Sequence, residues 1–317
     1  MGIGTAPLGN LYTAVSDTDA DETLTAAVSY GIGWFDVAPF YGHGLAEERL
    51  GRFLQRPGSA HRVVSTKVGR VLERVDTANP PSHFVAPLPY QPVFDYSSAG
   101  IERSFEDSLR RLGRSRVELL LIHDIDRFTH PVNHRATVRM VLDEALPTLV
   151  RLKHEGRVDA IGLGINQWDI GYEILASADI DCVLLAGRHT LLDQTAFAAG
   201  FLDACQRRGI AVLAGGVFNS GLLAGGSTYE YCPANEELVK RRDELSAICG
   251  RHGVSLPAAA LQFTAAHPAV TSILVGARSR AEVGAIVSWC RTTIPTALWQ
   301  ELSTRGLIPV DVPTGHA

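Results

Sequence analysis

The stretch Val117-Glu118-Leu119-Leu120-Leu121-Ile122-His123 decides the fold. An apolar run of this length reads as a buried strand, and it closes on one polar residue. Other segments near the front of the chain behave alike. Gly33-Trp34-Phe35-Asp36 ends on an acid, and Tyr41 follows in the short loop Ala38-Pro39-Phe40-Tyr41-Gly42. Arg62-Val63-Val64-Ser65-Thr66-Lys67 ends on an amine. An acid, a phenol, an amine and an imidazole at the carboxyl ends of neighbouring buried strands make a proton-transfer device. In a parallel β/α barrel all such strand ends open onto one face.

Working outward, strand-like runs alternate with amphipathic stretches. Strands are expected over Gly2–Leu8, Trp34–Asp36, Val63–Val68, Val117–His123, Ala160–Ile165, Cys182–Ala186, Ala211–Ala214 and Ser272–Val275. Helices are expected over Asp17–Tyr30, with Asp17 as N-cap and Gly31 as stop, and over Ala46–Leu54 and Ala99–Leu112. Further helices follow over Leu142–His154, Ile170–Ala176, Phe197–Arg208, Glu236–His252, Leu256–Ala266, Glu282–Cys290 and Thr296–Thr304. Repeated β-then-α units force parallel neighbours, because each crossover needs a helix-length connection. Eight of them in 317 residues predict an α/β fold, a (β/α)8 TIM barrel forming a single domain over 1–317. The runner-up, a doubly wound open sheet, lacks its Gly-x-Gly-x-x-Gly turn. Gly2-Ile3-Gly4-Thr5-Ala6-Pro7 fails at the third glycine.

Composition narrows the function classes. A hydrophobic fraction of 46% against 20% charged residues supports a large core. A net charge of −5 with no basic stripe argues against a nucleic-acid groove. The apolar runs are strand-length, so no membrane span or membrane partner is expected. Cys182, Cys205, Cys232, Cys249 and Cys290 are scattered and lack Cys-x-x-Cys spacing, which reads as reduced thiols in a cytoplasmic protein. His130-Pro131-Val132-Asn133-His134 holds two histidines, but Pro131 spoils a helical His-x-x-x-His face and no metal site is expected.

Lysine is scarce: only Lys67, Lys153 and Lys240 occur, the latter two among charges on helices. A bare ammonium at the end of an apolar strand is costly without a partner, and Asp36 can be that partner. A neighbouring ammonium lowers a phenol's pKa from about 10, which would let Tyr41 exchange a proton near neutrality. Each residue alone has a bland reading: a turn aspartate, a loop tyrosine, a strand-end histidine. Glu47 and Glu48 read as charges at a helix N-terminus.

At these residues the chain resembles the aldo-keto reductase superfamily. Gly33–Gly42, Glu48-Arg49-Leu50-Gly51, Ser65-Thr66-Lys67, Leu120-Leu121-Ile122-His123 and Gly276-Ala277-Arg278 carry the resemblance, in the right order. It implies a proton-transfer tetrad of Asp36, Tyr41, Lys67 and His123, and NAD(P) extended across the barrel's carboxyl-end face. Gly4–Asn10, Val93–Ser97, His123-Asp124-Ile125-Asp126, Gly162–Trp168 and Phe218-Asn219-Ser220-Gly221 resemble the family's sugar-oxidising branch, which pyridoxal-oxidising members also resemble. The implied activity is oxidation of the anomeric C1 hydroxyl of an aldose of the L-fucose, D-arabinose or L-galactose type. Hydride would go to NAD and an aldonolactone would form. Pyridoxal oxidation, an NADPH-dependent carbonyl reductase and a cofactor-sensing regulatory subunit are the alternatives.

The resemblance also distributes cofactor contacts. Asn166 would meet the nicotinamide amide. The usual glutamine after the sixth strand is replaced by Ala186-Gly187-Arg188-His189, and the stacking aromatic after the seventh by Gly215-Gly216, so Phe218 would offer the nearest ring. Phe218, Asn219, Ser220, Gly221 and Leu223 would cradle the pyrophosphate with turning backbone amides. Gly276 and Arg278 precede a helix whose amides can meet a phosphate. Glu282, where NADP-using relatives often carry a base, favours NAD, with NADP possible. The aromatic-rich segment Val75–Tyr96 would shape the substrate site. Phe84, Tyr90, Phe94 and Tyr96 would form a substrate wall, and Asp124 and Asp126 would accept sugar hydroxyls. A small-molecule sugar or pyridoxal is the expected partner of a monomer or small homo-oligomer.

Overall fold

A computed structural model of the chain describes residues 1–59, 61–76 and 82–314. In chain order the strands are β1 (Gly2–Gly4), β2 (Trp34–Asp36), β3 (Val63–Val68), β4 (Arg70–Arg74), β5 (Tyr90–Phe94), β6 (Leu119–His123), β7 (Ala160–Ile165), β8 (Cys182–Ala186), β9 (Ala211–Gly215), β10 (Thr228–Tyr229), β11 (Cys232–Pro233) and β12 (Val270–Gly276). The helices are α1 (Asp17–Ser29), α2 (Leu45–Leu54), α3 (Ser98–Leu112), α4 (His134–Met140), α5 (Leu146–His154), α6 (Trp168–Leu175), α7 (Thr195–Ala198), α8 (Phe201–Arg207), α9 (Glu236–Arg251), α10 (Leu256–Ala265), α11 (Arg280–Arg291) and α12 (Thr296–Thr304). Eight strands close a barrel in the order β1-β12-β9-β8-β7-β6-β3-β2, so the (β/α)8 expectation holds. Pairing is parallel, with Lys67 opposite Leu121 and His123 opposite Gly164. The chain divides into two compact units, residues 1–184 with 276–283, and residues 185–275 with 284–317.

In the first unit, side chains alternate along β3. Lys67 belongs to one set, and Thr66 to the other, where it donates to buried Glu47 of α2 at 2.8 Å. Arg111 of α3 pairs with the same carboxylate at 2.7 Å. Glu47 does lie in the first turn of α2, as expected, and it is also a buried tie between β3, α2 and α3. The periodic helix α3 buries Ile101, Phe105, Leu109 and Leu112 as its spacing predicts. Its ends are set by Ser97, whose hydroxyl accepts from Gly100 N, and by left-handed Gly113.

Several boundaries differ from expectation for local reasons. The first strand stops at Gly4, because Ala6–Gly9 forms a 3-10 turn around Pro7. Ser16, one residue before the expected cap, is the N-cap of α1 and accepts from Asp19 N. After β3 an antiparallel ribbon appears that was not expected, with β4 paired to β5 and Arg70 opposite Phe94. Part of the Val75–Tyr96 segment lies outside the described residues. The helix expected over Leu142–His154 begins earlier, as α4, and reaches α5 through a π-helical stretch at Val141–Ala145. The Phe197–Arg208 helix is broken at Gly200, whose φ is +70°.

The second unit has its own apolar core. Leu222 and Leu223 pack there with Leu245, Ile248, Phe263 and Trp299 from α9, α10 and α12.

The loop that carries Tyr41 is held by a close backbone approach. A Cβ on Gly9 would lie 2.6 Å from the Tyr41 carbonyl carbon, and one on Gly42 would lie 2.5 Å from Gly9 O. Gly42 also has φ +64°. Gly9→Ala is therefore expected to displace this loop and cost about 1–3 kcal/mol of stability, read from the urea midpoint. An unchanged midpoint would show that the two segments are not in tight contact.

Candidate active site

The four residues at the ends of β2, β3 and β6 and in the following loop meet in the first unit. Lys67 is 1% exposed and Asp36 3%. An ammonium has three N–H donors, and Lys67 Nζ places all three: on Asp36 Oδ2 at 2.7 Å, Val37 O at 3.0 Å and Tyr41 Oη at 3.1 Å. Asp36 Oδ1 accepts from Ser65 Oγ at 2.7 Å, and Ser65 Oγ accepts from Trp34 Nε1 at 3.1 Å. The carboxylate is thus satisfied on both oxygens, which is what a buried ion pair requires. The His123 ring stands edge-on to Tyr41 with centroids 6.2 Å apart.

The electrostatics depart from the sequence expectation at Tyr41. Burial of the phenol pushes its pKa up, and the pull of Lys67 in the other direction does not overturn this. Tyr41 therefore rests as a hydrogen-bonded phenol. Lys67 is raised above the ordinary lysine range; burial opposes this, and Asp36 foremost, with Tyr41, outweighs it. His123 is pushed well below the ordinary histidine value by burial, with Arg70 and Lys67 adding to the effect. It stays neutral.

The expected substrate wall is assembled only in part. Phe84 is buried and packs on Phe40 at 5.3 Å and Tyr41 at 6.3 Å. Tyr90 is half-buried on β5, and its carbonyl meets His43 Nδ1 at 2.5 Å. Phe94 is 40% exposed and stacks on the Arg70 guanidinium at 4.4 Å. Tyr96 faces inward, its hydroxyl 2.8 Å from His123 O and 3.0 Å from Asp124 O. It braces the backbone after β6 rather than forming a wall. Asp124 and Asp126 direct their carboxylates at protein donors, including Asn166 Nδ2 at 2.9 Å from Asp124 Oδ1 and Asn166 N at 2.8 Å from Asp126 Oδ2.

Also in the first unit, Gly276 abuts Pro7, where a Cβ would lie 2.9 Å from Cγ. Ser279 caps the following helix: Glu282 N donates to Ser279 Oγ at 3.2 Å. The Glu282 carboxylate accepts from Arg278 N at 2.9 Å and pairs with Arg278 Nε at 3.1 Å. It is an internal partner of Arg278 before it is anything else.

In the second unit, Asn219, Ser220 and Gly221 turn with φ of +45°, +56° and +99°. Amides of Asn219, Gly221 and Leu223 are donated inside this loop, so they are not spare donors for a phosphate. Leu223 is buried in the unit's core, and Phe218 packs edge-on against Trp289 at 5.7 Å. Asn219 Oδ1 is buried and has no protein partner, which suits a hydroxyl or N–H donor of a ligand.

Arg70 escaped the sequence reading. It follows left-handed Gly69 at the start of an unanticipated ribbon, and nothing in the periodicity marks it. Among the described residues no cluster of three or more His, Cys, Asp or Glu is placed to hold a metal. No described helix is long and apolar enough to cross a membrane.

The aldo/keto reductase family pattern matches residues 1–304. Pyridoxal 4-dehydrogenase of Microbacterium luteolum is 42% identical, over 97% of this chain and 94% of the relative. D-threo-aldose 1-dehydrogenase of a Pseudomonas species is 39% identical, over 98% and 94%. Among solved structures, an aldo-keto reductase from Bacillus halodurans in its holo form aligns with a TM-score of 0.75 at 23% identity, over 98% of this chain and 93% of that one. That likeness shows the fold.

Breaking the buried pair tests the electrostatics. Lys67→Met should cost about 3–5 kcal/mol, because it strands Asp36, whereas Asp36→Leu combined with Lys67→Met should cost less. Because the folded lysine pKa is raised, the pair's contribution is complete at neutral pH and fades only as pH climbs above about 10.4. Urea unfolding of both variants between pH 7 and pH 9 checks this; a double variant less stable than Lys67→Met would contradict it. With the fold, the site geometry and these relatives in view, the chain belongs to the aldo/keto reductase family and is a nicotinamide-dependent oxidoreductase.

Proposed function

We propose that the protein oxidises the hydroxyl on the hemiacetal carbon of a cyclic substrate to a lactone, with NAD as acceptor. The first substrate class is an aldose of the L-fucose, D-arabinose or L-galactose type, giving an aldonolactone. The observation that carries this reading is the Tyr41 hydroxyl, held 3.1 Å from an ion-paired lysine with neutral His123 beside it. Pyridoxal is the second class, favoured by the 42% identical relative and by the aromatic lining of Phe40 and Phe84. Pyridoxal closes into an internal hemiacetal, so both classes present the same reacting group, and the same residues would act on either.

When bound, the cofactor supplies the hydride acceptor. Asn166 would meet its amide, as the family resemblance implies, and its NH2 is held by the carboxylates of Asp124 and Asp126. Tyr41 and His123 would hold the substrate hydroxyl; in oxidation Tyr41 would first lose its own proton to solvent, with Lys67 stabilising the phenolate, and would then take the hydroxyl proton and return to the phenol. Asp36 keeps Lys67 in place and charged. Because burial holds Tyr41 protonated, oxidation should speed up as pH rises from neutral into the alkaline range. Reduction should show the opposite trend, since it draws on the protonated phenol.

NAD is favoured over NADP by the Arg278–Glu282 pair, since a 2′-phosphate would have to break it to reach that guanidinium. Glu282→Gln should raise the NADP-to-NAD ratio of kcat/KM about tenfold, an effect of about 1.4 kcal/mol. An unchanged ratio would remove Glu282 from cofactor choice.

Absorbance at 340 nm with the three sugars and pyridoxal, each with NAD and NADP, tests the activity. Tyr41→Phe should keep cofactor binding and lose a factor of about 10²–10⁴ in turnover. Full turnover in that variant would refute the role of Tyr41. Reduction of simple aldehydes by NADPH, with no oxidation in any well, would replace the proposal by a carbonyl reductase.

A further inference from the structure

A second polar network surrounds Asp124, and the four-residue device does not account for it. Arg70 Nη2 bonds to Asp124 Oδ2, and the side chains are 11% and 13% exposed. The guanidinium carbon sits over the Phe40 ring at 4.0 Å and the Phe94 ring at 4.4 Å, so the cation is stacked on two aromatic faces. Asp124 Oδ1 accepts from Asn166 Nδ2 at 2.9 Å, and His123 Nε2 lies 3.4 Å from Asp124 Oδ2. Asp124 itself has φ +52° and is braced by Tyr96. Tyr96 reaches this position because Gly69, at φ +99°, carries no Cβ; one there would lie 2.4 Å from the ring.

We propose that Arg70 and Asp124 are a positioning pair that presents the Nε2–H tautomer of His123 and one orientation of the Asn166 amide. The inference rests on the reading of His123 and Asn166 as substrate and cofactor contacts. Its logic is donor counting. An ionised carboxylate only accepts, so every group facing Asp124 must turn a donor toward it. For Asn166 this decides which end of the amide faces inward, and Asp126 Oδ2, 3.4 Å from the same NH2, reinforces the choice. For His123 it favours the proton on Nε2, which at 3.4 Å makes no close bond to the carboxylate and so stays available to a substrate hydroxyl; the buried Nδ1, with no protein partner, is then the unprotonated nitrogen. Without Arg70 the Asp124 carboxylate would be a largely buried anion lacking a cation, and it would draw a second proton onto His123. The charged groups acting on His123 are the cations Arg70 and Lys67 and the facing carboxylate Asp124; the Tyr41 ring stands edge-on to it, Tyr96 bonds to its carbonyl and to His130, and Asp36 and Asp126 are bonded to Lys67 and Asn166. Arg70 is the cation closest in role to Asp124, since Lys67 is committed to Asp36.

Histidine ¹⁵N NMR of the full-length protein tests this independently of activity, with the His123 signals assigned through His123→Gln. Wild type should show the Nε2–H tautomer and titrate well below the ordinary histidine value, since burial and the cations Arg70 and Lys67 depress it. Asp124→Asn should give mixed tautomers, because an amide can turn either end to the ring. Arg70→Met should make His123 titrate at higher pH, and Arg70→Lys, which keeps the charge, should restore much of the wild-type titration. In turnover assays each of Arg70→Met and Asp124→Asn should raise KM for NAD and lower kcat at least tenfold, and the double variant should be no worse than the poorer single one. Wild-type tautomer and titration in the variants, or fully additive kinetic losses, would overturn the proposal. If Arg70→Met does not fold, Asp124→Asn and Arg70→Lys decide it. A wild-type protein that neither binds NAD nor oxidises any hemiacetal would instead refute the functional reading, and the NMR result would still judge the pair.

Discussion

The ion pair between Lys67 and Asp36 is the constraint on which the site depends. Two charges are removed from water at the ends of adjacent strands, and the cost is offset only because every donor of the ammonium and both oxygens of the carboxylate are used. That requirement fixes neighbouring parts. Ser65 must sit on β3 to serve the second carboxylate oxygen, Trp34 must reach Ser65, and the Val37 carbonyl must face inward. The third lysine proton then points at Tyr41, and the Gly9–Gly42 contact holds the loop where that hydroxyl can receive it. Strand register, a backbone turn and a proton-transfer group are therefore set by one pair.

Around this pair the molecule separates two electrostatic tasks. Lys67 is held charged and Tyr41 protonated, so the device rests as a loaded acid next to a fixed cation. Oxidation asks the phenol to work against its resting preference, and the ammonium at 3.1 Å is what makes a transient phenolate tolerable. His123 is kept neutral by burial and by cations on two sides. A neutral imidazole can donate one hydrogen bond without competing as a proton source, which suits a group that orients a hydroxyl rather than titrating it.

Much of this was legible in the sequence, for a physical reason. Buried strands of a parallel barrel read as apolar runs, so a polar residue closing such a run stands out, and Asp36, Lys67 and His123 were visible on that basis. Tyr41 was visible through its loop and the family resemblance. The ribbon of β4 and β5 was not. Its charged residues Arg70, Glu73 and Arg74 and the proline at 92 mask any alternation, and Arg70 was hidden with it. The direction of the Tyr41 shift was missed because a charged neighbour can be inferred from a motif, whereas desolvation depends on what the fold packs around the hydroxyl. The pairing of Glu282 was within reach, since Ser279-Arg280-Ala281-Glu282 has the spacing of a helix N-terminus. The bonds inside the Phe218–Leu223 loop were beyond reach, since a glycine-rich loop shows that backbone turns without showing where its amides go.

The central claim is that the tetrad removes a proton from a hemiacetal hydroxyl while hydride leaves the same carbon. Single-turnover oxidation of C1-deuterated L-fucose, D-arabinose and L-galactose with NAD, followed by NMR of both products, tests it most directly. The account predicts deuterium on C4 of the reduced nicotinamide and a lactone as the sugar product. Reduced cofactor without deuterium, or a sugar product that keeps it at C1, would contradict the account.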